Sequence, residues 1–310
     1  MRVLLTGGAG FIGSSVARAL VGAGHRVVVL DKLTYAGRRE NLDGVDVDLV
    51  EGDVCDDALV GELVRGQDVV LHAAAESHVT RSLDDPAPFL RTNIDGTRCM
   101  LEAAARARVP HFIHVSTDEV FGSAPSGVAF GPNDVLRPGN VYAASKAGAE
   151  AMVHAVAHTR NYAATIVRCT NNYGPRQHPE KAIPTWIRAA LTDQPLPVHG
   201  DGRAIRDWLY VEDFARGLVL LLDQPPGGVH HFTGGSPLSN GQVARRVAAE
   251  LGGVLLHVDE RPGQDARYDL DDARTRRDLG WAPQMPFSEG LTRTIAWYRS
   301  ALRDIGRDAG

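Results

Sequence analysis

Short apolar runs alternate with segments of helical period through the first half of the chain. Residues 3–6, 27–30, 47–51, 69–72, 112–116 and 165–168 have the length and apolar character of buried strands. Between them, residues 12–23, 56–65, 87–107 and 141–160 carry apolar positions at helical spacing. Strict alternation of this kind predicts an α/β fold: a doubly wound parallel sheet covered by helices on both faces. Loops rich in proline and glycine at 124–140, 174–184 and 195–204 should lie at the carboxyl edge of the strands, where such sheets bind ligands. After about residue 170 the rhythm breaks. Helical patterns near 182–192, 211–222, 239–251 and 287–301 are separated by long irregular pieces, and no flexible linker intervenes. The expectation is a sheet domain over 1–170 and a smaller C-terminal substrate-binding lobe over 171–310, with the chain crossing between them. The polar tail 304–310 should fray.

The first strand runs straight into a glycine turn, Gly7, Gly10 and Gly13, and then a helix. Glycine lets such a turn tighten and brings backbone N–H groups close to a pyrophosphate at a helix N-terminus. Asp31 ends the next strand, where an acid can accept the ribose hydroxyls of a dinucleotide, and its charge favours NAD over NADP. Lys32 follows directly and blunts that preference. Asp53, after the third strand, is placed to meet the adenine amino group. The small residues of the run His72-Ala73-Ala74-Ala75 let a flat cofactor lie close, and His72 itself reads as a packed side chain. The expected cofactor site is therefore Gly7, Gly10, Phe11, Ile12, Gly13, Asp31, Lys32, Asp53, Val54, Ala73 and Ala75, with Tyr142 and Lys146 at the nicotinamide end.

Composition narrows the partners. The 310 residues carry a formal net charge of −5, which disfavours a nucleic-acid binder. Three scattered cysteines offer neither a disulfide framework nor metal-ligand spacing, so a reducing compartment is expected and no metal. No apolar run approaches the ~18 residues of a membrane span, and the expectation is a cytoplasmic protein with no membrane partner.

Tyr142 and Lys146 place a phenol and an ammonium one helical turn apart on the same face. This pair suits removal of a proton from a hydroxyl while hydride leaves the same carbon. A free tyrosine ionises near pH 10, and a neighbouring cation should lower that value. The run Ser116-Thr117-Asp118-Glu119 adds a second acid/base couple that simple alcohol oxidation does not need. Two proton-handling systems in one pocket point to oxidation coupled to elimination. Adjacent residues on a straight strand point oppositely, so the chain should turn at Asp118 to aim both carboxyls inward.

These residues resemble the extended short-chain dehydrogenase/reductases, and among them the dTDP-glucose 4,6-dehydratases. The resemblance runs over nearly the whole chain and rests on TGGAGFIGS, DKLTYAG, HAAAESHV, STDEVFG, YAASK, RCTNNYGPRQHPEKAIP, IRDWLYVED and RPGQDARY. It implies a Rossmann-like fold, NAD, and a nucleotide-diphosphate sugar, dTDP-glucose, as substrate. Implied roles follow. Tyr142 takes the proton of the sugar 4-hydroxyl, with Thr117 orienting that oxygen. Glu119 removes the carbon-5 proton, and Asp118 protonates the departing 6-hydroxyl. Ser77, Asn172, Lys181, Arg206, Asn240 and Arg261 would hold the substrate, with Glu76 near the sugar. The family's dimers pair the helices near 87–107 and 141–160, which implies a homodimer. Thr80, Val141, His199 and Gln264 depart from the family pattern, and none removes a catalytic group. The rival readings are a 4-epimerase or hexuronate decarboxylase of the same superfamily and, in another class, a non-catalytic NAD-binding protein.

Overall fold

The structure, a computed structural model, describes residues 1–307 and the side chains of residues 1–301. The side chains of the polar tail thus lie outside the described residues, as do residues 308–310. Among the described residues the strands are β1 Arg2–Thr6, β2 Arg26–Asp31, β3 Asp48–Glu51, β4 Val69–His72, β5 His111–Thr117, β6 Ala164–Cys169, β7 Asn171–Tyr173, β8 Leu196–His199, β9 Ile205–Tyr210, β10 Gly228–Phe232, β11 Pro237–Ser239 and β12 Leu255–Val258.

The main sheet runs β10-β6-β5-β4-β1-β2-β3, and every pairing in it is parallel. Its order reverses between β1 and β4, and the crevice at such a reversal is where doubly wound sheets take their ligands. β5 and β6 are buried along their whole length because helices cover both faces. On one face Val16, Ala17 and Leu20 of helix Phe11–Gly22 pack with Phe214, Leu218 and Leu221 of helix Val211–Leu221. On the other, Val60, Met100, Leu101, Ala104, Val153 and Val156 pack over Phe112 and Ile166.

The second half of the chain does not stay apart from this sheet. β10 pairs with β6, and helix Val211–Leu221 covers the first face, so residues from both halves build one core. The smaller lobe packs Trp186, Ile187, Trp208, Val243, Leu291 and Ile295 around the β11-β9-β7 sheet and the β12-β8 pair. Its short strands were not expected. The segment 195–204, anticipated as loop, contains β8, whose residues Leu196 and Val198 are fully buried beneath helix Asn240–Leu251. The segment 87–107 is not uniformly α-helical either: Leu90–Asp95 forms a π turn. Such a turn inserts one residue into the helix, and here it accompanies a buried Asn93.

One buried ion pair ties the layers together. The Arg168 guanidinium at the end of β6 donates to the Glu150 carboxylate from Nε at 3.0 Å and from Nη2 at 2.6 Å. Both side chains are almost wholly buried. Arg168 also donates to the Pro132 carbonyl at 3.0 Å and lies 4.6 Å from the centre of the Phe121 ring. Removing one member of such a pair leaves an uncompensated charge, which typically costs about 3–5 kcal/mol. We therefore expect Glu150→Ala to lose that much unfolding free energy in urea titrations. Glu102→Ala, whose partners Arg98 and Arg106 are surface residues, should lose under about 1 kcal/mol.

Candidate active site

The carboxyl ends of β1, β2, β4 and β5 open into a cleft of ≈690 Å³ that continues to β7 and the loop before Lys181. Its nucleotide end is shaped by close backbone approach. Gly7 has φ +70°, and a methyl group there would sit 2.7 Å from the Ala74 Cα. A methyl at Gly13 would collide with the Gly7 carbonyl. Gly10 caps helix Phe11–Gly22 with no side chain over its first turn, so the N–H donors there face the cleft uncapped. Phe11, Ile12, Val54, Ala73 and Ala75 line the same end.

Asp31 accepts the Ala9 and Leu33 N–H groups, both at 2.9 Å, one on each carboxylate oxygen. Burial raises its pKa against the pull of these two bonds. Asp53 is engaged more heavily than its expected adenine role suggests. It accepts Lys32 Nζ at 2.8 Å, Arg91 Nη2 at 3.2 Å and the Cys55 N–H at 2.9 Å. Arg91 was not anticipated; a basic residue near the start of a helix facing the cleft was the available signal.

At the chemical end, β5 stops at Thr117 and the chain turns at once into a short 3-10 helix, Asp118–Phe121. The Thr117 hydroxyl accepts the Glu119 N–H at 3.3 Å and donates to Asp118 Oδ1 at 3.1 Å. Both carboxyl residues line the cleft. Asp118 is 3% exposed, and its Oδ2 has no hydrogen-bond partner. Burial first, and the Glu119 charge second, push the Asp118 carboxyl well above the usual carboxylate range. Glu119 Oε2 receives the Asn140 amide at 3.2 Å and faces the Tyr268 hydroxyl at 3.4 Å. Asn140 also caps helix Val141–Arg160 through the Ala143 N–H at 2.8 Å, so one side chain sets both the helix start and the Glu119 carboxylate. Neither Asn140 nor Tyr268 was singled out from the sequence.

Tyr142 and Lys146 lie on successive turns of that helix and both line the cleft. The phenol differs from expectation. Burial, with the nearby Glu119 charge, pushes the Tyr142 pKa well up, and the Lys146 cation does not offset this. The ammonium instead donates to the Val115 carbonyl at 2.7 Å. Burial lowers its own pKa to about 8. Beneath it, Asn93 brackets the Glu76 backbone, accepting its N–H at 2.9 Å and donating to its carbonyl at 3.0 Å. The same amide donates to the Ser145 hydroxyl at 2.8 Å.

The expected substrate residues separate into two groups. Ser77, Asn172 and Lys181 line the cleft, where Lys181 Nζ donates to the Ser77 carbonyl at 2.8 Å and Asn172 Oδ1 is buried without a partner. Arg206, Asn240 and Arg261 are not part of its walls. Arg206 is buried behind Tyr268, 4.4 Å from that ring, and donates to the Ile205 and Asp265 carbonyls. Arg261 has a buried Nε without a partner, and the Asn240 N–H bonds the Ala204 carbonyl.

The chain belongs to the NAD dependent epimerase/dehydratase family, whose profile matches residues 3–233. The glycine cradle, the uncapped helix start and Asp31 fit NAD. The chain is 43% identical to a dTDP-glucose 4,6-dehydratase of Streptomyces niveus, over 96% of this chain and 93% of that one. The solved structure of DesIV, a dTDP-glucose 4,6-dehydratase of Streptomyces venezuelae with NAD and TYD bound, superposes with TM-score 0.94 at 42% identity, covering 97% of each chain. A UDP-glucose 4-epimerase of Thermotoga maritima superposes with TM-score 0.92 at 28% identity, over 97% of this chain and 100% of that one. The architecture is thus shared across different reactions. Since nothing at Gly13 can grow without displacing Gly7, Gly13→Ala should weaken NAD binding at least about tenfold in a calorimetric titration.

Proposed function

We propose that this chain is an NAD-dependent hydro-lyase that removes water from dTDP-glucose to give dTDP-4-keto-6-deoxyglucose. The observation that carries the reading is the environment of two adjacent carboxyls. Asp118 is buried, and burial with the neighbouring Glu119 charge raises its pKa well above the carboxylate range, while Glu119 itself sits against an amide donor and a hydroxyl. Environments that drive paired carboxyls apart are what an acid and a base side by side require.

NAD, when bound, supplies the oxidation at carbon 4 and the matching reduction at carbon 6. The chain's own residues do the rest. Tyr142 would receive the 4-hydroxyl proton as a phenolate, the form that the positive charge of bound NAD favours, and Thr117 orients that oxygen. A ketone at carbon 4 acidifies the carbon-5 hydrogen, which Glu119 removes. The carbon-6 hydroxyl is a poor leaving group until Asp118 donates its proton, and it then departs as water. Protons balance: Tyr142 takes one from the 4-hydroxyl and Glu119 one from carbon 5, Asp118 gives one to the departing water, Glu119 returns one to carbon 5, and the proton left on Tyr142 restores Asp118 before the next turnover. Lys181, Asn172 and Ser77 are the groups we assign to the nucleotide-diphosphate sugar, a cation and hydrogen-bonding groups suited to an anionic ligand. Arg206, stacked on Tyr268, and Arg261 and Asn240 would complete that end of the site. We also assign a homodimer and a cytoplasmic setting. Supporting these are Leu83 and Leu90, both more than 40% exposed around the helix expected to pair, and three unpaired cysteines.

Mass spectrometry of the product from dTDP-glucose should show loss of one water; an unchanged mass would mean epimerisation instead. In deuterated solvent, Glu119→Gln should reduce label incorporation at carbon 5 by about a hundredfold or more. Incorporation at the native rate would remove Glu119 as the base.

A further inference from the structure

Two buried histidines lie under the floor of the cleft, and the chemistry above uses neither. His72 is fully accounted for. The Thr97 hydroxyl gives its proton to the Asn93 carbonyl at 2.6 Å, so at 3.0 Å from His72 Nε2 it must accept. That fixes the proton on His72 Nε2 and leaves Nδ1 to accept from the Thr6 hydroxyl at 2.8 Å. Every polar atom of this ring is satisfied, and burial lowers its pKa to about 3. His72 is structural.

His114 is different. It sits on β5, completely buried, with its ring centre 5.6 Å from that of His72. Its Nδ1 has no partner, and its Nε2 faces Lys146 Nζ at 3.5 Å. The Lys146 ammonium has three N–H groups and only one short bond, to the Val115 carbonyl. The carboxylate nearest along its own helix, Glu150, is already bound by Arg168. The other ionisable groups around it are Cys169 on β6, His72 on β4, and Tyr142, Asp118 and Glu119 at the cleft wall. None of these is hydrogen-bonded to the ammonium, and the Glu119 carboxylate is engaged by Asn140 and Tyr268 instead. We propose that His114 is a positioning residue for Lys146, its neutral Nε2 lone pair serving with the Val115 carbonyl to fix the ammonium and keep it charged. The assignment deepens the function proposed above and rests on it. Burial, Lys146 and His72 all disfavour the imidazolium, which keeps that lone pair available.

A direct test is possible because the chain contains just three lysines, Lys32, Lys146 and Lys181. Isotope-labelled lysine gives few side-chain resonances, and Lys146→Met identifies the one of interest. Burial lowers the Lys146 pKa to about 8, and the midpoint read from its resonance should fall by about one further pH unit in His114→Leu relative to the native protein, a tenfold loss of proton affinity. His114→Gln, which can return an acceptor to the place of Nε2, should restore it. The alkaline limb of turnover should move with the resonance. If the leucine variant does not fold, as judged by circular dichroism and Tm, His114→Asn replaces it, since the shorter amide cannot reach Lys146. An unmoved Lys146 midpoint in a folded non-accepting variant overturns the proposal. If dTDP-glucose is not the substrate, turnover is absent in every variant while the resonance still shifts, so the two failures are distinguishable.

Discussion

The contact between Arg168 and Glu150 is the constraint on which the active-site geometry depends. Glu150 belongs to the helix that carries Tyr142 and Lys146, and Arg168 belongs to β6 beside the strand that delivers Thr117. The same guanidinium lies over Phe121, the last residue of the turn that presents Asp118 and Glu119. Helix, strand and turn are therefore registered by one cation. Such a pair gains little over a well-packed apolar core, yet it is intolerant of losing either partner. Its value here is geometric, since it fixes the helix, strand and turn that bring Tyr142, Asp118 and Glu119 to one cleft.

The electrostatics of the site follow from where the turn buries its side chains. Asp118 lies deep, where burial raises its pKa well above the carboxylate range; Glu119 lies at the wall, held by Asn140 and near Tyr268. The fold separates two chemically similar groups by solvent access and by hydrogen-bond donors. Tyr142 is half-buried at the same cleft, and desolvation with the Glu119 charge raises its pKa. The phenol is accordingly a group whose activation depends on what the cleft holds, and not on the adjacent ammonium by itself.

Much of this was legible in the sequence, and the reasons differ from element to element. Strands β1, β2, β4, β5 and β6 announced themselves because burial on both faces leaves near-continuous apolar runs, and the half-exposed edge strand β3 by its place in the alternation. The glycine turn and the Tyr142–Lys146 pair were legible because their chemistry demands fixed spacings on local structure. The small strands β7, β8, β9, β11 and β12 were not, since short segments pairing across a lobe carry almost no periodic signal. The return of β10 to the main sheet is a tertiary event that no local window encodes. Asn140, Asn93 and Tyr268 escaped for a related reason: each acts on a residue brought near only by folding. The depressed phenol acidity was misjudged because spacing reveals which charges are close but not how deeply they are buried.

The three lysines have a further chemical consequence. Each of them borders the cleft, so the remaining side-chain cations of the protein are all guanidinium groups, which do not react with acylating reagents under mild conditions. Amine-selective acylation would leave most of the molecule's exterior unmarked and report, residue by residue, on how far the interior of a single crevice is shielded.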